Sequence, residues 1–214
     1  MLQTFQSLRQ AASRIVPQSL IMRRGPSGAR RVALTFDDGP LPLTSAYLDC
    51  LDDLGVPATF FLMGALVERD PGVLREYVRR GHQVAAHGYH HTKFSEMSSR
   101  ELAGDLARCG RVFGTQPLAR PWIRPPHGAL DARSLAVALA SGWSIAMWSF
   151  DSYDYKLETA DELVARCSPA EIRDGEVVLL HEGQSWTLEA LPRIVEGLTA
   201  AGLECVTMAD LYAR

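Results

Sequence analysis

Short, solid apolar runs recur along this chain, and a stretch of helical periodicity follows each. The runs lie at 31–34, 58–63, 83–86, 122–124, 144–149, 177–180 and 203–207. Strands that face water on one side alternate apolar and polar residues, whereas strands covered on both faces read as unbroken apolar runs. Helical spacing between them supplies the cover. Ala46, Leu48, Leu51 and Leu54 mark one such helix, and Leu102, Leu106, Cys109 and Phe113 another. About seven strand–helix alternations, without a repeat or a long linker, predict an α/β fold. The expected form is a distorted (β/α)7 barrel with parallel strands, complete or incomplete.

Local signals place the helix ends. Gly55 and Pro57 close the first helix, and Gly81 stops the second. Asp70-Pro71 reads as a helix start, with Asp70 as cap and Pro71 in the first turn. Ser98-x-x-Glu101 has the pattern of a capping box. Further helices are expected over 131–141, 161–166 and 188–201. A length of 214 residues suits one domain with a large core. The reading divides the chain into a basic arm, 1–30, and a catalytic domain, 31–214.

Polar residues cluster where the apolar runs stop. They are Asp37-Asp38, His87, Arg124, Asp151 to Asp154 and His181. In α/β barrels the strand C-termini converge on one face, where chemistry is placed. By itself Asp37-Asp38-Gly39-Pro40 is compatible with a solvated turn. His87 and His91 stand four apart, and a lone histidine pair is as compatible with a structural role. With one carboxylate, however, they complete a two-histidine, one-carboxylate set that leaves positions open for water and substrate. His82 and His90 acquire no role and are expected at the surface.

These residues carry a resemblance. From about 30 to 212 the chain resembles the polysaccharide deacetylase family, the NodB-homology enzymes of carbohydrate esterase family 4. Five motifs stand in the family's order: Thr35-Phe36-Asp37-Asp38-Gly39-Pro40, His87-x-x-x-His91, Arg124-Pro125-Pro126-His127-Gly128, Asp151-Ser152-Tyr153-Asp154-Tyr155 and Leu179-Leu180-His181. Three positions depart. Gly88 replaces a Ser or Thr, His127 an aromatic residue, and Tyr155 a Trp.

The resemblance implies a role for each position. Asp38, His87 and His91 would hold one divalent metal, zinc first, with Co, Ni, Mn or Fe as alternatives. Such a metal polarises an acetamide carbonyl and lowers the pKa of water. Asp37 would act as general base and Arg124 would orient it. His181 would protonate the leaving amine, aided by Asp154, with Asp151 as a second candidate for that duty. The backbone N–H of His127 would stabilise the oxyanion. Pro126, His127, Tyr155 and Leu179 would shape the substrate pocket, with ordinary core packing as the alternative for Tyr155 and Leu179 and an equally good one for Leu179. The implied activity is metal-dependent removal of acetyl from an N-acetylated sugar, such as a chitooligosaccharide or peptidoglycan. Two other readings stay open. One is deacylation or deformylation of a lipid-linked or other small sugar. The other is a metal-holding carbohydrate-binding protein without turnover.

Charge and cysteines bound the partners. A net charge of -3 argues against a nucleic-acid partner. Residues 1–31 nevertheless carry six arginines and no acid. Leu2, Phe5, Leu8, Ala12 and Ile15 give residues 2–16 an amphipathic helical pattern. Such a helix either packs on the domain or lies on an anionic membrane surface. No secretory signal is recognised, so a cytoplasmic location, with or without peripheral membrane contact, is expected. The four cysteines lack Cys-x-x-Cys spacing and read as core residues of a reducing compartment, with two disulfides as the alternative. Oligomeric state is not legible.

Overall fold

In the computed structural model, which describes residues 21–114 and 121–213, strand β2 (Arg31–Gly39) is the hub of the sheet. It pairs in parallel with β3 (Thr59–Leu62) on one side and β8 (Val177–His181) on the other. Its first three residues also pair with β9 (Glu204–Val206). The helix expected over 2–16 lies outside the described residues. The sheet continues from β3 through β4 (Gln83–Ala86), β5 (Trp122–Ile123) and β6 (Ser144–Ala146) to β1 (Ile21–Met22). Beyond β8 it ends on β7 (Phe150–Asp151). Every pairing is parallel.

The curled, parallel (β/α) sheet agrees with the expected class, and two short strands go beyond it. Ile21–Met22 adds an edge strand from within the 1–30 arm, registered against Ile145 and Ala146. Phe150–Asp151 opens a second strand just after β6, at the opposite end of the sheet. Only Met147 to Ser149 separate β6, next to the β1 edge, from β7 at the other edge along the chain. Met147 N donates to Met22 O and Ser149 N donates to Val177 O, so this segment bridges the gap. A two-residue strand carries too little periodicity to be read from sequence.

Strand parity sorts the core into two layers. Successive strand side chains point to opposite faces. Val32, Leu34, Phe36, Phe60, Leu62, Val84, Val178 and Leu180 point outward and meet the helices in the larger apolar cluster. Ala33, Phe61, Ala85, Ala146 and Val177 point inward and fill the barrel. The helices α1 (Thr44–Leu54), α4 (Ser99–Phe113), α5 (Ala132–Ala140) and α7 (Ser185–Ala200) cover the outer face. Gly55 ends α1 at φ 66, a left-handed conformation that costs a glycine little. The Ser98–Glu101 capping box opens α4, and Asp131 caps α5.

Two local expectations are corrected. The helix expected after Asp70-Pro71 is present as α3 (Val73–Arg79), but Gly72 and not Asp70 stands at its cap, and Asp70-Pro71 forms the turn that separates it from α2 (Gly64–Arg69). Asp70 Oδ1 accepts from Gly72 N at 3.1 Å and thus closes a local Asx turn. His82 is not a surface residue. It is 4% exposed, its Nδ1 accepts from Ala58 N at 3.2 Å, and its ring packs edge-on against Phe60. Burial pushes its pKa down to about 4, so it stays a neutral core histidine. His90 is exposed.

Candidate active site

The inward parity of the strands delivers the polar cluster. Thr35 and Asp37 follow Ala33 on the interior side of β2. Leu179 and His181 follow Val177 on β8. His87 lies beyond Ala85 on β4, and Arg124 beyond Trp122 on β5. Asp38 has the wrong parity. It reaches the same cavity because the β2–β3 register shifts between Asp37 and Gly39 and Asp38 takes φ 76. His91, His127 and Tyr153 are also left-handed, at φ 60, 57 and 59. Thus four of the five non-glycine residues with positive φ among the described residues ring the site. Each such residue costs on the order of 1–2 kcal/mol, which the surrounding packing must offset.

The first pair is deeply buried. Arg124 is fully buried and Asp37 is 2% exposed. Arg124 Nη1 donates to Asp37 Oδ1 at 2.6 Å and to Thr35 Oγ1 at 2.9 Å, and Nη2 donates to Met147 O at 3.1 Å. The guanidinium lies 3.8 Å over the Phe61 ring. Asp37 Oδ1 is therefore committed, while Oδ2 faces the cavity 3.6 Å from His87 Nε2.

The second group is a three-residue ligand set. Oxygen and nitrogen atoms of Asp38, His87 and His91 all lie within 4.8 Å of one another. His87 Nδ1 lies 2.9 Å from Arg124 O, a partner that can only accept, so Nδ1 carries the proton and Nε2 presents a lone pair. That lone pair points at Asp38 Oδ1, 3.5 Å away. Asp38 Oδ1 is buried without a well-formed hydrogen bond, and His91 Nε2 stands 3.0 Å from it. Burial lowers the His87 pKa and so favours the neutral, ligating ring. Burial raises the Asp38 pKa, but the His91 contact and the neighbouring imidazoles outweigh it and hold the group at about 2. Acceptor atoms facing one another at this range suit a shared cation. Tetrahedral zinc ligands at about 2.0–2.2 Å from the ion stand roughly 3.3–3.6 Å apart, and the Asp38 Oδ1 separations of 3.0 Å from His91 Nε2 and 3.5 Å from His87 Nε2 lie close to that spacing.

The third group is an imidazole–carboxylate pair across the cavity. His181 Nδ1 donates to Asp154 Oδ1 at 2.7 Å, and His181 N donates to Asp154 Oδ2 at 2.6 Å. Thr187 Oγ1 donates to the same oxygen at 3.1 Å. Burial alone would lower the His181 pKa. The bond and charge of fully buried Asp154 outweigh it and raise the value to about 9. Asp151, the second candidate for this duty, is bonded elsewhere. Its carboxylate accepts from Tyr153 N at 3.0 Å and from Tyr155 Oη at 3.4 Å.

The cavity between these groups has a volume of about 330 Å³. Asp37, Asp38, His87, His91 and His181 line it, together with His127, Tyr155 and Leu179. Pro126 does not. It is buried beneath Gly88, where a Cβ would meet Pro126 Cγ at 3.0 Å. Gly88 also has φ 72, so the departure from Ser or Thr has a local cause. Trp148, Gly128 and Gln184 also line the cavity and were not expected there. Trp148 shares the inward parity of Ala146, and that count would have found it. Gln184 follows β8 in a loop and carries no sequence signal.

Comparison with known proteins points to one family. The family model described as polysaccharide deacetylase matches residues 24–146. Over 205 residues the chain is 33% identical to a peptidoglycan-N-acetylglucosamine deacetylase of Listeria monocytogenes, covering 94% of this chain and 43% of the relative. The chain therefore spans less than half the length of that relative. It is also 33% identical to a chitooligosaccharide deacetylase of Bradyrhizobium, covering 87% of this chain and 92% of that one. Among solved structures, the Bc1960 peptidoglycan N-acetylglucosamine deacetylase superposes with a TM-score of 0.84 at 29% identity, over 91% of this chain and 94% of that one.

Proposed function

Because this chain belongs to the polysaccharide deacetylase family, we propose that it is a metal-dependent hydrolase that removes acetyl groups from an N-acetylglucosamine-containing glycan. The observation that carries the reading is the arrangement around Asp38, His87 and His91. A buried carboxylate with one free oxygen shares their cavity with an imidazole held in its charged form.

Asp38 Oδ1, His87 Nε2 and His91 Nε2 would hold the ion. A divalent cation there, with zinc the first expectation, supplies Lewis-acid polarisation of the acetamide carbonyl and acidifies nearby water. Arg124 fixes Asp37 through Oδ1, so Oδ2 receives the proton from the attacking water. The new C–O bond forms as the carbonyl oxygen gains negative charge, which the backbone N–H of His127 would stabilise by analogy with the family. His181 then gives its Nε2 proton to the sugar nitrogen, and the C–N bond breaks. Asp154 holds the opposite ring nitrogen and stabilises the imidazolium until that transfer. The products are acetate and a free amine. Leu179, Trp148 and Tyr155 line the cavity and would receive the acetyl methyl.

The test is acetate release from N-acetylglucosamine oligomers by the full chain with defined metals. Asp37→Ala is expected to bind zinc and to release no acetate. Release at the parental rate by that variant would sink the assignment of the base.

A further inference from the structure

His127 brings another imidazole to the cavity wall, beside the two that the ligand set uses. Its ring centre lies 4.6 Å from that of His91, with the planes at 56°. The ring centres of His87 and His91 lie 5.0 Å apart, also at 56°. Two imidazoles bound to one tetrahedral ion at about 2.0–2.1 Å hold their ring centres roughly 5.2 Å apart. His91 therefore stands between two rings, each near enough to share an ion with it. Asp38, His87 and His91 already present their donor atoms within 4.8 Å of one another, and His127 does not belong to that group. Its ring has to turn about its own side-chain bonds to bring a nitrogen there.

The side chain can make that turn. It is exposed, its ring meets that of His91, and among the described residues it has no hydrogen bond or ion pair. The backbone that carries it is fixed. His127 takes φ 57 between Pro126 and Gly128, both buried, and Gly128 N donates to Pro125 O at 2.9 Å. A Cβ at Gly128 would meet the Trp148 ring at 2.6 Å, so the turn is pressed against the cavity wall. A left-handed residue other than glycine costs on the order of 1–2 kcal/mol. An exposed ring returns little of that through packing.

A zinc site with three protein ligands stays open to water and substrate, whereas one with four is closed. We propose that the His127 imidazole is a displaceable fourth ligand of the ion held by Asp38, His87 and His91, and that it closes the site until water and substrate take its place. Turning the ring away reopens the position and leaves the main chain of residue 127 where it is. The backbone N–H thus remains available to the oxyanion in both arrangements. The inference rests on the ligand set of the deacetylase reading and is independent of which glycan is cleaved.

The test compares the full chain with two variants. His127→Asn removes the imidazole and keeps a residue type that tolerates a positive φ. His127→Phe keeps an aromatic ring without a donor atom. Zinc affinity is measured by competition with a chromophoric chelator, and Tm of each metal-free chain separates a folding defect from a lost ligand. Both variants are expected to bind zinc at least about tenfold more weakly than the parent, because losing a ligand costs no less than losing an outer-shell partner. In the cobalt-loaded chains without substrate, paramagnetically shifted ring-proton resonances are expected from three histidines in the parent and from two in His127→Asn. Weaker zinc binding and the loss of one histidine signal, in a parent that releases no acetate, would keep the fourth ligand and sink the deacetylase reading. Parental zinc affinity in both variants, or signals from only two histidines in the parent, overturns the fourth ligand while the deacetylase reading stands. A parent that binds no zinc overturns both.

Discussion

Arg124 and Asp37 meet through one guanidinium nitrogen and one carboxylate oxygen, 2.6 Å apart, where Arg124 is fully buried and only the other Asp37 oxygen faces the cavity. The pair meets across the barrel interior from the ends of β5 and β2, with β4 and β3 between them in the sheet, and Thr35 and Met147 O take further guanidinium hydrogens. Removing one partner leaves the other as an uncompensated buried charge. Arg124→Met is therefore expected to destabilise the fold by about 3–5 kcal/mol, measured by urea denaturation. Asp37→Asn keeps a hydrogen-bond acceptor for Arg124 and is expected to cost less. Equal losses for the two would show that packing, not charge, dominates at this position.

The His181–Asp154 pair sets a pH dependence whose sign follows from its partners. The His181 pKa is raised to about 9, above the ordinary value of 6.5. The imidazolium's contribution to stability is complete below pH 6.5 and fades as pH climbs through about 9. The same proton is the one donated in the reaction, so kcat should fall on the alkaline side near pH 9. Asp154→Asn removes the charge and leaves burial, which lowers the pKa. Asp37 and Asp38 still favour the imidazolium, so the alkaline limb is expected to move to lower pH than in the parent. A kcat profile that keeps its limb in this variant would assign the limb to another group.

Metal binding has a thermodynamic signature separate from turnover. Zinc at a hundredfold excess over its Kd is expected to add about 2.7 kcal/mol to the parent's stability. His91→Ala removes one of three ligands and should abolish that gain, read as the zinc-dependent rise in Tm. A chelator should stop acetate release by the parent, with zinc or cobalt restoring it. A parent whose Tm ignores all divalent metals would count against the ligand set.

Gly88 offers a test of the turn between the ligand histidines. Gly88→Ser places a Cβ 3.0 Å from Pro126 Cγ at a residue with φ 72. The left-handed backbone alone should cost about 1–2 kcal/mol in urea denaturation. Unchanged stability would show that the turn relaxes away from Pro126.

Much of this protein was legible before any coordinates. Unbroken apolar runs imply strands buried on both faces, and hence a parallel sheet under helices. Ser98 with Glu101 marked a helix start because a cap satisfies orphan N–H groups locally. Asp37, His87, Arg124 and His181 stood at strand ends, where β/α folds place chemistry. These are local or periodic properties, and each is encoded within a few residues. Tertiary structure decided what depends on contacts distant in sequence. It gave His181 to Asp154 rather than Asp151, from 27 residues away, and turned Asp38 into the cavity through a register shift against β3. It buried His82 against Phe60 and placed Pro126 beneath Gly88 instead of at the substrate. A residue's type limits what it can bond. Which partner it meets is set by how the sheet curls, and no short window of sequence contains that curvature.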